Sequence, residues 1–499
     1  MGHDVSRNFI LEKILDLSSN WSNPLSGLRK TSIMTTKRPF TWGAATSAFQ
    51  IEGSGEIGQR GTSIWDVFCE IPGKIAGGAN GLRSCDHLSH YRDDVALMKA
   101  LNLQGYRFSI SWPRVLPEGT GTVNQAGLDF YDRLVDELIA ADIAPYVTLY
   151  HWDLPQALQM KLGGWEHPDT ARHFADYSRL IFNRIGDRVS HWFTINEPWC
   201  VAYFGYFNGA FAPGVQDRRR GFQVGHQLLR AHALAVAAFR AGGYRGEIGI
   251  NLNCEFMYPA SDTIDDRDAA QRALIDMAGW FGDPVWFGDY PNEMRSAYGD
   301  LLPQFSDEDQ KLVKQSIDFI ATNYYFSDLV SAAPDVNPMG YIRTSDPNRP
   351  KTAMGWPIVA EGLESLLTWL TQRYGNLPVY LTENGMAKEN EIVEDGFVHD
   401  PERIDYIRTH FESARRAVEK GVDLRGYFVW SLIDNLEWAH GFAKRFGLIH
   451  CDFETQVRTI KDSGLWYAYW IARGGWNAIE SPQHLDSNSA GERESCMES

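Results

Sequence analysis

Eight apolar, β-rich runs recur along the chain, at residues 40–50, 104–110, 145–151, 191–197, 247–253, 319–325, 378–383 and 426–431. Between them lie segments at 86–101, 125–141, 169–185, 218–241, 359–374 and 401–420, whose apolar residues recur three or four apart. That spacing belongs to a helix with one buried face. Glycine follows two of these segments, Gly421 after Lys420 and Gly242 after Ala241, where a helix C-cap is expected. Alternating strand and helix makes a parallel sheet, and eight strands suit a closed α/β barrel, the (β/α)8 or TIM barrel. The rival is an open doubly wound sheet, which binds nucleotides through a Gly-x-Gly-x-x-Gly turn after an early strand. The closed barrel is the expected form.

No long Pro- or Ser-rich linker divides residues 38–473. They are expected to form one domain, with 1–37 an N-terminal extension outside the fold and 474–499 a polar tail. This exceeds the ~250 residues of a minimal barrel, so the extra chain is expected in loops, notably 51–85 and 327–356. The formal net charge is −17, from 47 Lys plus Arg against 64 Asp plus Glu, which makes nucleic acid and anionic membrane poor partners. No uncharged apolar run approaches the ~20 residues of a membrane span. Six cysteines (Cys69, Cys85, Cys200, Cys254, Cys451, Cys496) include no Cys-x-x-Cys pair. Their scatter argues against a zinc ribbon, a redox dithiol or a disulfide framework and fits free thiols in a reducing compartment. With no apolar h-region in the first 36 residues, the expected location is the cytoplasm; homo-oligomer formation stands open.

In barrels of this kind the working residues lie at the C-terminal ends of the strands. The runs lead into Gln50 with Glu52, Arg107, His151-Trp152-Asp153, Asn196-Glu197-Pro198, Asn323-Tyr324-Tyr325, Thr382-Glu383-Asn384-Gly385, and Trp430 followed by Asp434-Asn435-Leu436-Glu437-Trp438. Glycoside hydrolysis needs two carboxyl groups flanking the scissile bond, one protonated and one ionised, and Glu197 and Glu383 have that chemistry. A separation of about 5–5.5 Å would mean retention of configuration and about 6.5–9.5 Å inversion; both stand open from the residues alone. No metal or cofactor is required.

Five motifs then carry a resemblance: Tyr-Arg-Phe-Ser-Ile-Ser-Trp-Pro-Arg (106–114), Thr-Leu-Tyr-His-Trp-Asp-Leu-Pro (148–155), Thr-Ile-Asn-Glu-Pro (194–198), Tyr-Leu-Thr-Glu-Asn-Gly (380–385) and Trp-Ser-Leu-Ile-Asp-Asn-Leu-Glu-Trp (430–438). In this order they resemble the family 1 glycoside hydrolases, the β-glucosidase family, over about residues 40–471. The resemblance implies the same barrel and a retaining, exo-acting β-glucosidase with no cofactor. It makes Glu383 the nucleophile and Glu197 the acid, later the base, supported by Arg107, Asn323 and Tyr325. The terminal sugar would be held by Gln50, His151, Trp152, Asn196, Glu437, Trp438 and Phe446 over Trp430, with Trp199 and Trp356 on the aglycone side. The implied partner is a small β-glucoside or short oligosaccharide, with side activity on β-galactosides and β-fucosides and transglycosylation left open.

Two departures leave the aglycone undefined. Gly-Ala-Phe-Ala-Pro-Gly (209–214) stands where relatives usually carry Gly-x-His-Ala-Pro-Gly, and Pro357 follows Trp356 where an acidic residue is common. Members acting on 6-phosphorylated sugars resemble the chain overall but lack the Glu-Trp pair found here at 437–438, where a charged Glu437 is expected to repel a 6-phosphate. A metal-dependent amidohydrolase barrel would want a His-x-His ending its first strand, and none occurs. A non-catalytic sugar-binding barrel is disfavoured by the intact Glu197 and Glu383.

Overall fold

The computed structural model describes residues 40–54 and 60–476; the proposed extension at 1–37 and the tail from 477 lie outside the described residues. Eight parallel strands form a closed barrel: β1 (Thr41–Ala45), β2 (Gly105–Ser109), β3 (Ala144–Tyr150), β4 (His191–Asn196), β5 (Glu247–Asn253), β6 (Phe319–Asn323), β7 (Val379–Asn384) and β8 (Leu424–Trp430). Each strand pairs with its neighbours in sequence and β8 closes on β1. Residues 53–58 do spell Gly-x-Gly-x-x-Gly after β1, but the closed barrel excludes the open sheet that would use it.

Helices buried on one face cover the strands. Those at His87–Ala100, Gln125–Ala140, Pro168–Ile185, Arg218–Gly242, Ala360–Tyr374 and Pro401–Glu419 match the expected segments within two residues. Gly243 takes the left-handed C-cap with φ 65°. Phe182 of one helix meets Phe239 of the next at 5.2 Å between centroids, and truncating such a ring would cost about 3–5 kcal/mol.

The barrel interior has an aromatic floor of Tyr146, Phe193, Phe319, Tyr380 and Phe428. Above it the Arg107 guanidinium lies 5.4 Å from the centre of the Phe193 ring. Polar side chains follow toward the C-terminal mouth. The floor fills the barrel bottom and leaves open space only at the end where the long loops meet.

Four expectations need correction. The first run ends as strand at Ala45, and Ala48–Ile51 form a helical turn; all four residues of that turn are buried, so an unbroken apolar run could not separate the two conformations. The sixth strand likewise stops at Asn323, two residues early. The expected loop at 327–356 contains strands Ser327–Ala332 and Tyr341–Thr344, which join Phe256–Pro259 in a small sheet outside the barrel. Residues 474–476 are packed, with Trp476 4.6 Å from Phe40 and 4.9 Å from Trp42. Among the described residues no helix is long and apolar enough to cross a membrane, and the five described cysteines are free.

Candidate active site

Two strand ends break the alternation that normally sends successive side chains to opposite faces. Register shifts interrupt β4 between Phe193 and Asn196 and β7 between Leu381 and Glu383, and such bulges re-aim side chains beside active sites. On β7 both Thr382 and Glu383 therefore reach inward. The Thr382 hydroxyl lies 2.6 Å from Asn251 Oδ1, and Glu383 Oε1 accepts from Arg107 Nη1 at 2.6 Å. Gly385 permits this strand end, because a Cβ there would lie 1.8 Å from the Trp430 carbonyl oxygen. On β4, Glu197 follows Asn196 with φ 47° and caps the short helix Pro198–Ala202, with proline pre-set for its first turn. Trp152 and Trp438 also hold positive φ, 79° and 46°. Left-handed backbone at three non-glycine residues around one mouth is strain of the sort that collects at functional sites.

Glu383 Oε2 accepts the Tyr325 hydroxyl at 2.7 Å, and Asn323 Nδ2 donates to Glu197 Oε1 at 2.8 Å. Arg107 is fully buried and also donates from Nη2 to Asn196 Oδ1 at 2.6 Å and from Nε to Thr148 Oγ1 at 3.1 Å. Asn196 Nδ2 donates to His151 Nε2 at 3.1 Å. A chain of fixed donors thus links both carboxyl groups to the barrel wall.

The carboxyls open into a cavity of about 310 Å³. Of the residues expected from sequence, His151, Trp152, Glu197, Trp199, Asn323, Tyr325, Trp356, Glu383, Trp430, Glu437, Trp438 and Phe446 line it. Gln50, Arg107 and Asn196 do not. Gln50 is held behind the wall, donating to Asn435 Oδ1 and the Leu436 carbonyl and accepting from Ser47, while Arg107 and Asn196 lie beneath the carboxyls. Three buried polar atoms on the wall have no protein partner: His151 Nδ1, Asn253 Oδ1 and Glu437 Oε2. Such atoms are costly unless a ligand or water satisfies them.

The model of the family described as glycosyl hydrolase family 1 matches residues 34–475. The chain is 46% identical over 438 residues to a 1,4-beta-D-glucan glucohydrolase of Thermotoga neapolitana, covering 87% of this chain and 98% of the relative. A solved family 1 β-glucosidase from Thermotoga maritima superposes with a TM-score of 0.84 at 45% identity, covering 87% of this chain and 98% of that one. The same protein in complex with deoxynojirimycin gives 0.85 at 44% identity, covering 88% and 98%. This chain belongs to glycosyl hydrolase family 1.

In this family 1 chain the two carboxyls have different electrostatic surroundings. Burial, with the Glu383 charge adding to it, pushes the Glu197 carboxyl up to about 8. Burial lifts Glu383 as well, but Arg107, Tyr325 and Asn323 oppose it, which makes Glu383 the first of the two to ionise. His151 is driven well below its usual range by burial and then by the Arg107 charge, so it is a neutral imidazole. Glu437 corrects the sequence reading. Burial, then the charges of Glu383 and Glu197, push it up to about 8, which weakens the charge expected to repel a 6-phosphate. The case against a phosphorylated sugar rests instead on the wall, which carries no Lys or Arg. Among the described residues no group of three His, Cys, Asp or Glu is placed to hold a metal.

Sequence reasoning missed Cys200, Phe204, Phe211, Asn253, Glu255, Phe326 and Met354 on the wall. Asn253 was within reach, since it ends β5 as Glu383 nearly ends β7. Cys200 stands beside Glu197 and acts on its carboxyl because the short helix begins at Pro198. Phe211 and Phe326 come from loops with no periodicity to betray them, and Phe204 from the five-residue helical turn Tyr203–Phe207.

Proposed function

We propose that this chain is a retaining, exo-acting β-glucosidase that removes terminal non-reducing β-D-glucosyl units from unphosphorylated β-glucosides and short β-linked glucose oligomers. The observation that carries this reading is the pairing of Glu197, protonated at neutral pH, with the more readily ionised Glu383 in one small cavity. Glu383 attacks the anomeric carbon while Glu197 gives its proton to the departing oxygen, so a glycosyl ester forms as the glycosidic bond breaks. Esterification removes the charge on Glu383, the Glu197 pKa falls, and its carboxylate takes a proton from the water that cleaves the ester. Tyr325 and Arg107 hold Glu383 in place for attack.

Trp430 and Trp438 on the cavity wall support a pocket for one terminal ring, and the unpartnered atoms of His151, Asn253 and Glu437 support recognition of its hydroxyls. The glucan glucohydrolase and β-glucosidase relatives and the deoxynojirimycin complex support a glucoside over other glycosides. We assign the activity to one domain over residues 38–473 with the packed residues to Trp476, and the free cysteines support a cytoplasmic setting. The test compares kcat/KM for aryl β-glucoside, β-galactoside, β-fucoside and 6-phospho-β-glucoside and follows the anomer released by NMR. β-Glucose as first product, with the glucoside or its close epimers preferred, is expected. α-Glucose as first product, or preference for the 6-phosphoglucoside, would overturn the reading.

A further inference from the structure

Cys85 precedes β2 and Cys451 follows β8, yet the two are buried at one place in the fold. We propose that they form a modification site: under oxidising conditions the two thiols close into a disulfide that staples the loop after β1 to the hairpin after β8. The proposal is independent of the reading of activity.

Shared partners bring the two residues together. The Cys85 thiol donates to the Asp434 carbonyl at 2.8 Å. Arg445 Nη1 donates both to Asp434 Oδ2 at 2.8 Å and to the Cys451 carbonyl at 3.0 Å. On the other side, Arg458 stands opposite Cys451 in the antiparallel pair of strands Ile449–Cys451 and Arg458–Ile460, and its Nη2 donates to the Cys85 carbonyl. Asp434 and Arg458 thus bracket both cysteines, and the thiols stand side by side.

The backbone is set to hold Cys85 there. Ser84 and Asp86 on either side of it both have left-handed φ, 46° and 48°, a strain that persists in non-glycine residues only where the surroundings over-determine it. Ser84 donates its hydroxyl to the Gln50 carbonyl, and its own carbonyl accepts from Gln456 Nε2 at 3.0 Å. Cys85 is therefore pinned between the loop that follows β1 and the turn that precedes Arg458.

The closed fold keeps the pair reduced. Burial lifts the Cys85 thiol well above its usual range, so little thiolate forms until the strained segment opens. The oxidant is a small disulfide such as glutathione disulfide. One cysteine thiolate attacks it and expels a glutathione thiolate, the second cysteine thiolate displaces the other, and the protons lost by the cysteines end on the two glutathiones. In the net one S–S bond breaks and one forms.

The experiment incubates the full-length protein with excess glutathione disulfide at 25 °C and again about 10 °C below its thermal midpoint, blocks the remaining thiols and maps peptides without reduction. At the higher temperature a linked peptide pair containing Cys85 and Cys451 is expected, released by dithiothreitol and absent from Cys85→Ser and Cys451→Ala. A cross-link that closes so long a loop should raise the thermal midpoint by about 5 °C and keep turnover of an aryl β-glucoside within twofold. Cys451→Ala leaves the Cys85 bond to Asp434 in place, and its midpoint should not respond to the oxidant. Cys85 and Cys451 still open to alkylation, with glutathione on Cys69 or Cys496 instead, overturns the proposal. So does a linked pair that lowers the midpoint, leaves it unchanged or abolishes turnover. Inactivity of untreated wild type would overturn the β-glucosidase reading alone, since the peptide map and the midpoint need no substrate.

Discussion

Asp434 and Glu437 lie three residues apart in the loop after β8, yet their carboxyls face opposite surroundings. Asp434 is paired with Lys461 at 2.7 Å and Arg445 at 2.8 Å. Lys461 also contacts Glu391, and Arg403 joins Glu391 to Asp400, so three acidic groups meet three basic ones. At the mouth stand Glu197, Glu383 and Glu437, and Arg107 pairs with Glu383 alone of the three. Burial is complete or nearly so in both clusters except at Arg445 and Glu437, which are partly buried. Against that burial, Lys461 and Arg445 hold Asp434 below the usual carboxylate range, whereas Glu197 and Glu437 are pushed up to about 8. Asp400, at the far end of the balanced cluster, is lifted by its burial. Charge balance, more than depth, separates a cluster that braces the fold from the one proposed to exchange protons.

The sharpest break in this comparison is Glu383→Gln. Turnover of an aryl β-glucoside should fall by roughly 10⁴-fold or more, while far-UV circular dichroism stays native. Turnover near wild type would remove Glu383 from the mechanism. With Glu383→Gly, added azide should restore turnover as the α-glycosyl azide, since the anion attacks from the vacated face. Next in size is Asp434→Asn, which leaves Lys461 and Arg445 under-compensated and should cost about 3–5 kcal/mol, read as a lower urea midpoint. Its activity profile against pH should keep the wild-type shape; a displaced basic limb would merge the two clusters into one.

Glu197→Gln should cost substrates with poor leaving groups about 10²–10⁴-fold and activated aryl glucosides much less in the glycosylation step. Equal losses would argue against proton donation. In wild type the basic limb of kcat/KM should lie near 8, as a macroscopic value of the coupled carboxyls.

The last comparison is of stability against pH, where a single proton sets the slope. Glu437 is raised in the fold, so folded protein holds its proton over a window where unfolded protein has lost it. Stability should fall as pH rises from about 4.5 toward 8, by at most about 1.4 kcal/mol per pH unit for one proton. Glu437→Gln should flatten that decline. Asp434, depressed in the fold, contributes stability above the usual carboxylate range that is lost as pH falls. Asp434→Asn should therefore change the acid side, and an unchanged acid side would show that the salt bridges carry no net stability.

The strands were legible because parallel barrel strands are buried on both faces and read as apolar runs. The six long helices were legible from their spacing. The region from 254 to 318 was not, because its helices are short and one contains Pro284. Glu197, Glu383, His151 and Trp430 were readable from strand ends and family motifs. Gln50 and Asn196 were readable as polar residues near the mouth, but whether they face the cavity or the wall depends on partners as distant in sequence as Asn435 and Arg107.

By itself, the sequence determined the barrel and the family and singled out the two carboxyls proposed for catalysis, because periodicity and motif are local properties of a chain. Tertiary structure decided which atoms stand free in the cavity, that the Glu437 carboxyl is pushed up, and that a second chamber adjoins the first. Those are properties of burial and of summed charge, and both arise only when segments hundreds of residues apart exclude water from the same space.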